Sequence, residues 1–498
     1  MAPAPRIEGQ DRYGPAVLRQ VLSPCLTIAD QERRLQACAA ALTARLVSDG
    51  FLNSRVYVVP AAPPGLLQVV EGRLVEVRVE GPDPRLNRQV RRLVKPLVGQ
   101  VLNLPTVEQS LQRLRNLPAI GSVRGSLTRL GSDVSQAVFV LKVQPADQPW
   151  HGELGVRNDG SSGSGDARAV GTLVKGDLAT RGDTLLLYGE LDGSDAPALG
   201  AVISSISYTL PLADQLSLTG AFGTSRRRLI ELPEPTNGLA TTQLQELGQL
   251  EWVFAESLSQ RWSLFAGLSG NGSSTTLDGS SLPASVPASV RTPRSGYLKV
   301  GISGGGLRSR LAWGGTAYLL QGLGFATPAD QRQELASVGI EAGQASALGT
   351  LVSAAWGFAP NWQLLLRGGG QIALRPLTSA MQFTLGSDVG IRGLPGQLIS
   401  GDSGWLATGE VSWSVWQRRQ TTLQLVPFLG AGGVRTSLDG LTLNDVVGAG
   451  GVLVRWLQGS HWSSELGWVN SFQTSDNPGP WTEWPLGKGL YARVQFRF

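Results

Sequence analysis

Few residues in this 498-residue sequence are equipped for covalent chemistry. There are two histidines, His151 and His461, and two cysteines, Cys25 and Cys38. Neither histidine lies in a nucleophile motif such as G-x-S-x-G, and the four residues lack the spacing of a zinc site. The Gly-rich run Gly448-Ala449-Gly450-Gly451-Val452 continues as strand instead of opening a helix, so it makes a poor phosphate loop. Each histidine adjoins a tryptophan, Trp150 or Trp462, at an expected strand end, where an interfacial side chain is the simpler reading. The cysteines could close a small loop in an oxidising compartment or remain two buried thiols. Neither an enzyme nor a bound metal or cofactor is expected. The chemistry that remains is that of isolated Arg and Glu residues set on otherwise apolar or Gly-rich strands.

The composition explains where such residues sit. Charged residues are only 16% of the chain, against the ~25% usual for soluble proteins, and there are 64 glycines. No apolar run is long enough for a transmembrane helix. The overall charge of +5 hides a division near residue 150: residues 1–149 carry 19 Lys+Arg against 12 Asp+Glu, the remainder 24 against 26. All 14 tryptophans and 54 of the glycines lie after residue 149. Two different materials therefore meet at the Pro145–Pro149 stretch. The opening MAPAPRIEGQ shows no basic n-region and apolar h-region. That leaves an intracellular chain, or one whose leader lies outside this sequence; the strand pattern below favours the second.

In the first part, a helix from Asp30 carries Leu35, Cys38, Ala39, Leu42 and Leu46 on one face and stops at Gly50. Strands are expected in FLNSRVYVVP and GLLQVVEGRLVEVRVEG, separated by the A-P-P-G turn at 62–65. The order then recurs, with helices in RLNRQVRRLVKPLVGQ and from an N-cap at Thr106, and a strand pair in SVRGSLTRLG and SQAVFVLKVQP. Residues 1–20 read as a leader or linker remnant, 21–81 and 82–148 as two α+β modules. The arginine surplus lies on helix faces with few aromatics between, a solvated surface and not a nucleic-acid site.

After Trp150, sixteen strands are expected, starting near 152, 167, 183, 200, 214, 246, 260, 295, 307, 347, 361, 404, 420, 446, 461 and 489. Many alternate with a period of two. Leu490, Ala492, Val494, Phe496 and Phe498 face one way, and Tyr491, Arg493, Gln495 and Arg497 the other. The small, Ser/Gly-rich polar face and the aromatics near strand ends fit a lipid-facing band around a wet lumen better than a soluble sandwich. Closure also removes exposed sheet edges. The expected fold is a membrane all-β protein: a ~16-stranded antiparallel transmembrane β-barrel over 150–498, preceded by two α+β domains.

These residues resemble a known family along nearly the whole chain. LTARLVSDGFLNSRVYV…LLQVVEGRLVEVRVEG resembles the first POTRA domain of two-partner-secretion transporters, the hemolysin secretion/activation family, and PLVGQVLNLPTVEQSLQRLRNLPAIGSVRGSL their second. GELGVRNDGSSGSGDARAVGTLV is similar to the start of their barrel. The most specific match is DVGIRGLPGQLISGDSGWLATGEVSW, which resembles the family's V-R-G-[YF] loop, with its G-D-x-G and the acid on the next strand.

The resemblance implies an inward-folded loop over 376–403, between the eleventh and twelfth strands. Arg392 and Gly393 are its tip, flanked by Ile391 and Leu394. It implies a bridge between Cys25 and Cys38, and a C-terminal assembly signal in Phe496 and Phe498. One position departs from the family: in PFLGAGGV, Gly430 stands where the inner-wall acid is expected. Glu410, on the inward face with Thr408 and Ser412, is the substitute partner for Arg392, and Asp402 the second candidate.

The function so implied is an outer-membrane translocator that secretes a large unfolded exoprotein. Periplasmic POTRA domains would capture the N-terminal secretion domain of the client by β-augmentation, with the barrel as pore. Outer-membrane lipid and the barrel-assembly machinery are the other partners implied. The alternatives are an outer-membrane insertase for other barrels, disfavoured by having two POTRA domains only, and a passive solute channel, which would leave those domains idle.

Overall fold

The computed structural model describes residues 3–9, 11–59, 64–117, 119–130, 133–147, 150–194, 198–232, 238–438, 441–475 and 479–498. Residues 62–63 of the expected A-P-P-G turn, and 148–149 of the expected junction, lie outside these. The chain divides into two compact units, Met1–Gln148 and essentially all that follows from Pro149.

In the first unit, Asp30 caps helix α2 (Gln31–Ser48) by accepting the Arg33 amide at 2.8 Å. The apolar stripe of α2 lies against Val56 of β2 (Arg55–Val59) and Leu67 and Val69 of β3 (Leu66–Val70). Within the stretch read as a leader or linker remnant, the described residues belong to this module. β1 (Arg6–Glu8) runs parallel to β3, and α1 (Pro15–Leu22) adds Leu18 and Leu22 to the same core. Cys25 and Cys38 are bonded, with Cα atoms 5.3 Å apart.

The run from 66 to 80 is divided between two sheets. β4 (Arg73–Glu80) leaves β3 and pairs parallel with β6 (Asp133–Pro145), which pairs antiparallel with β5 (Ile120–Leu130). Leu74 and Val79 accordingly lie in the second core, with Phe139 and Leu141 and with helices α3 (Pro84–Val94) and α4 (Leu104–Arg115). The division expected after residue 81 thus falls at Gly72. Its amide reaches Ser54 Oγ, its carbonyl accepts from Leu102, and a Cβ there would stand 2.1 Å from Asn53. The N-cap of α4 is Asn103, not Thr106, because Pro105 fits the first turn, where a missing N–H costs nothing.

The second unit is a closed antiparallel barrel. Its strands are β7 (His151–Arg157), β8 (Ala167–Gly176), β9 (Thr184–Gly193), β10 (Leu199–Pro211), β11 (Leu216–Arg228), β12 (Leu239–Glu256) and β13 (Gln260–Leu277). After a two-residue loop strand, β14 (Ser280–Ser281), come β15 (Arg294–Arg308), β16 (Leu311–Gly322), β17 (Ser346–Ala359) and β18 (Trp362–Ala373). Two short strands, β19 (Phe383–Leu385) and β20 (Ile399–Gly401), pair only with each other in the following loop. The wall resumes with β21 (Ser403–Arg418), β22 (Thr421–Leu438), β23 (Leu441–Gln458), β24 (Trp462–Gln473) and β25 (Leu490–Arg497), which closes on β7.

All sixteen expected wall strands are present. The start displaced furthest is that of β12, at Leu239, because Leu244 is the one large outward-facing apolar side chain in its first seven residues. At one end the turns are as short as residues 309–310, 360–361 and 419–420; at the other, loops span 278–293, 323–345, 374–402 and 474–489. Two of the long loops dock through Glu334 of α6 (Ala329–Ser337), which accepts the Ala288 and Ser289 amides at the start of α5 (Ala288–Arg291).

The aromatic belt is lopsided. Trp252, Trp262, Trp313, Trp356, Trp362, Trp413, Trp416, Trp456 and Trp462 all sit at strand ends beside the short turns. Several touch across strands, as in the stacked pair Trp362–Trp413, with centroids 5.1 Å apart. These amphipathic rings favour the headgroup level of a bilayer and so fix that end at an interface. A charge on the outer band midway along a strand meets hydrocarbon. Leu268→Arg should therefore destabilise the barrel by ~2–4 kcal/mol, while Ser269→Arg, on the lumen face, should change stability little. Urea unfolding in liposomes, followed by gel mobility of unheated samples, checks both.

Candidate functional site: the loop inside the barrel

The segment between β18 and β21 folds back into the barrel as the hairpin β19–β20, with its turn pushed against the inner wall. Ile391 and Leu394 are fully buried there, in a cluster with Leu385, Leu406, Val426, Val447, Leu453 and Val469. Where the loop lies, the wall presents apolar side chains. On the β13–β18 side Arg261, Ser263, Ser303, Thr316, Ser353 and Arg367, with several glycines and Leu351, Val352 and Leu406, line a cavity of about 670 Å³.

Gly393 lets the tip approach. Its φ is +84°, and a Cβ would stand 2.1 Å from Val469 Cγ1. Between the two buried apolar residues, Arg392 turns to the wall. Its Nε lies 3.0 Å from Glu410 Oε2 of β21, and its Nη1 donates to Glu465 Oε2 of β24. Arg455 of β23 closes the ring, with Nη2 2.7 Å from Glu410 Oε1 and Nε 2.7 Å from Glu465 Oε1. Each arginine thus touches both glutamates, and the formal charges of the four cancel. Ser412 Oγ and Gln424 Oε1 accept further bonds from Arg455 Nη1, at 3.2 and 3.4 Å. In a low-dielectric wall such charge-assisted bonds are strong, and removing one member strands its partner.

Glu410 therefore stands where alternation placed it. Asp402 does not join Arg392: it accepts from Gln382 Nε2 at 3.0 Å, and its carbonyl accepts from Gln371 Nε2, so it fixes the base of the loop. Gly430 faces the loop directly, and a Cβ there would come within 3.0 Å of Thr408 Cγ2 and 3.3 Å of Ile391 Cγ2. The space beside Gly430 is taken by Ile391, and the negative charge comes from β21 and β24. Glu465 and Arg455 went unseen in the sequence, although each is a lone charge on the lumen face of an alternating strand. Phe496 and Phe498 lie at the closing strand, Phe496 against Trp462 at 4.8 Å, and the Phe498 backbone exchanges hydrogen bonds with Gly152.

Residues 136–452 match the family described as haemolysin secretion/activation protein ShlB/FhaC/HecB. The chain belongs to this family. It is an outer-membrane transporter of the two-partner-secretion type, with its two POTRA domains in the periplasm. Among curated relatives, the outer membrane transporter CdiB of Dickeya dadantii (strain 3937) is 22% identical over 79% of this chain and 67% of its own. That of Escherichia coli O6:K15:H31 (strain 536 / UPEC) is 24% identical over 99% of this chain and 81% of its own. Solved structures of CdiB from Escherichia coli (TM-score 0.62, 19% identity, covering 99% of this chain and 89% of that one) and from Acinetobacter baumannii (0.57, 15%, 100% and 90%) share the fold. So does BamA from Haemophilus ducreyi lacking POTRA domains 1–3 (0.51, 12%, all of both chains).

The ring of charges makes a quantitative prediction. Arg392→Met should cost the docked loop ~3 kcal/mol, because Glu410 and Glu465 are left with one cation between them. The double variant Arg392→Met/Glu410→Gln should recover part of that loss, since it restores neutrality. The open fraction of single channels in planar bilayers reads both.

Proposed function

We propose that the inward loop is the plug of the secretion pore and that the Arg392–Glu410–Glu465–Arg455 ring is its latch. The observation that carries this is the division of the lumen. The loop fills the β21–β25 side, so an extended client passing along the Ser- and Gly-lined β13–β18 side needs the loop to shift for the width of its side chains. A neutral ring of four charges suits a latch, because it is strong when assembled and, once Arg392 leaves with the loop, Arg455 still offsets one of the two glutamates left on the wall. No enzymatic step is required: folding of the client outside the cell supplies direction.

Client capture belongs to the periplasmic domains. β5 pairs with β6 along one side only, and its eleven residues are the longest open strand edge among the described residues of that unit. An extended N-terminal secretion segment of the client adds there by main-chain hydrogen bonds, with little demand on its sequence. The outer apolar band and the aromatic belt meet outer-membrane lipid. The terminal strand ending at Phe498, with Phe496 beside it, serves as the signal read by the barrel-assembly machinery.

A cysteine introduced in place of Ser126 on the β5 edge should cross-link to the secretion domain of the client in cells, while one in place of Arg19 on α1 should not. Arg392→Ala should raise mean conductance in planar bilayers several-fold and alter the amount of client in the medium, with the barrel still inserted. Secretion at the unaltered level, together with unaltered conductance, rejects the latch.

A further inference from the structure

The loop is held at a second place, on the far side of the joint where the barrel closes. Four residues before Arg392, Asp388 Oδ1 lies 2.6 Å from Arg168 Nη1 of β8 and 3.5 Å from Arg157 Nη2 of β7. Arg168 is entirely buried and the largest such side chain in the described structure. Its Nε and Nη2 are engaged by Asp192 of β9 and by Ser161 Oγ, and Glu190 lies 3.4 Å from Nε. Among its described contacts, Nη1 faces Asp388 alone. The backbone follows the same path: Gly396 donates to the Gly160 carbonyl at 3.0 Å, and a Cβ at Gly396 would stand 2.2 Å from Arg168 Nη2. Farther along, Gln397 Oε1 accepts from Arg227 of β11 at 3.0 Å.

The wall between these two anchors contains the shortest described ladder between adjacent wall strands. β25 and β7 are paired over five positions, from Arg493↔Arg157 to Arg497↔Glu153, whereas β22 and β23 are paired over 18. Side chains extend the short ladder. Asn158 accepts from the Ala492 amide at 2.9 Å and donates to the Leu490 carbonyl at 2.7 Å, and Glu153 meets Arg497 at 2.8 Å. The latch of Arg392 grips β21, β23 and β24 on one side of this joint, and Asp388 grips β7 and β8 on the other.

We propose that Asp388 and Arg168 are positioning residues that form a second anchor, making the loop a strut across the β25–β7 joint: while both ends are held, plug and joint stay closed together. The proposal rests on the plug reading above and adds to it that release of the loop on the β7–β8 side loosens the wall as well as the lumen. The charges facing Asp388 are Arg157 and Arg168, with Asp159, Glu190 and Asp192 behind them. That group already has more acids than bases. The anchor therefore depends on direct hydrogen bonding to the buried guanidinium and not on overall charge, so geometry as well as sign should matter.

The test uses the full-length protein without client. Asp388→Arg sets a cation against Arg168, and Gly396→Ala intrudes on the same guanidinium without changing charge; Asp388→Glu keeps the acid as the conservative control. Each is combined with Gly155→Cys/Gln495→Cys, a cross-strand pair at the joint. Gel mobility of unheated samples confirms a folded barrel. Asp388→Arg and Gly396→Ala should raise mean conductance in planar bilayers several-fold and reduce the yield of the disulfide between the two introduced cysteines at least twofold, while Asp388→Glu stays near the unmodified protein. Unchanged conductance and cross-linking in both Asp388→Arg and Gly396→Ala overturn the anchor. Raised conductance with an unchanged cross-link yield overturns the strut. Loss of the transport reading would show differently, as failure of client secretion to respond to Arg392→Ala.

Discussion

A guanidinium carried into a barrel has to be met by carboxylates, and most of what is distinctive here follows from that requirement. Ile391 and Leu394 bury the loop, but apolar burial has no direction and would allow the tip to slide along the wall. Arg392 removes that freedom, since its planar fork satisfies two glutamates only in one position. Arg455 then keeps the glutamates apart and oriented from behind. Specific placement of the plug thus comes from polar groups, and its adhesion from apolar ones.

The two units solve different solvation problems with different residues. The periplasmic unit is surrounded by water and can keep each small core under helices such as α2 and α4, with arginines outside. The barrel wall is one strand thick and has lipid on one face, where a charge is costly. This is why its few charges gather into rings and clusters instead of spreading over a surface. The lopsided aromatic belt belongs to the same constraint: rings that fix the short-turn end at one interface leave the long-loop end to be shaped by loops that dock on each other.

Period-two alternation made the barrel legible, because every wall strand shows one face to lipid whatever its partners. The same parity put Glu410 on the lumen side. It could not bring in Glu465, which meets Arg392 from a strand far along the sequence, or Arg455, which joins Glu410 and Glu465, because these meetings depend on barrel curvature and loop depth. Asp402 was a natural candidate by nearness along the chain, yet the hairpin turns it toward Gln382. The passage of the chain at Gly72 was hidden for another reason: β3 and β4 read as one alternating run, and only pairing tells which sheet each joins. The role of β1 and α1 was hidden because three strand residues and a two-turn helix carry little periodicity.

Gly430 shows what such a site has to preserve. With no acid on β22, the charge requirement of the loop is met from β21 and β24, and the vacated space is filled by Ile391 of the loop itself. The lumen permits this because any inward position on several adjacent strands lies within reach of a long side chain at the tip. What is constrained is neutrality of the group and close contact of the backbone at Gly393; the strand that carries the carboxylate is not. A second arginine is the natural consequence. Two glutamates around one guanidinium would leave an excess negative charge in the wall, and Arg455 cancels it from the one strand, β23, that borders Glu465 on β24 while its side chain also reaches Glu410. The ring of four is thus the smallest neutral arrangement in which Arg392 keeps two carboxylates and no buried charge is left without a partner.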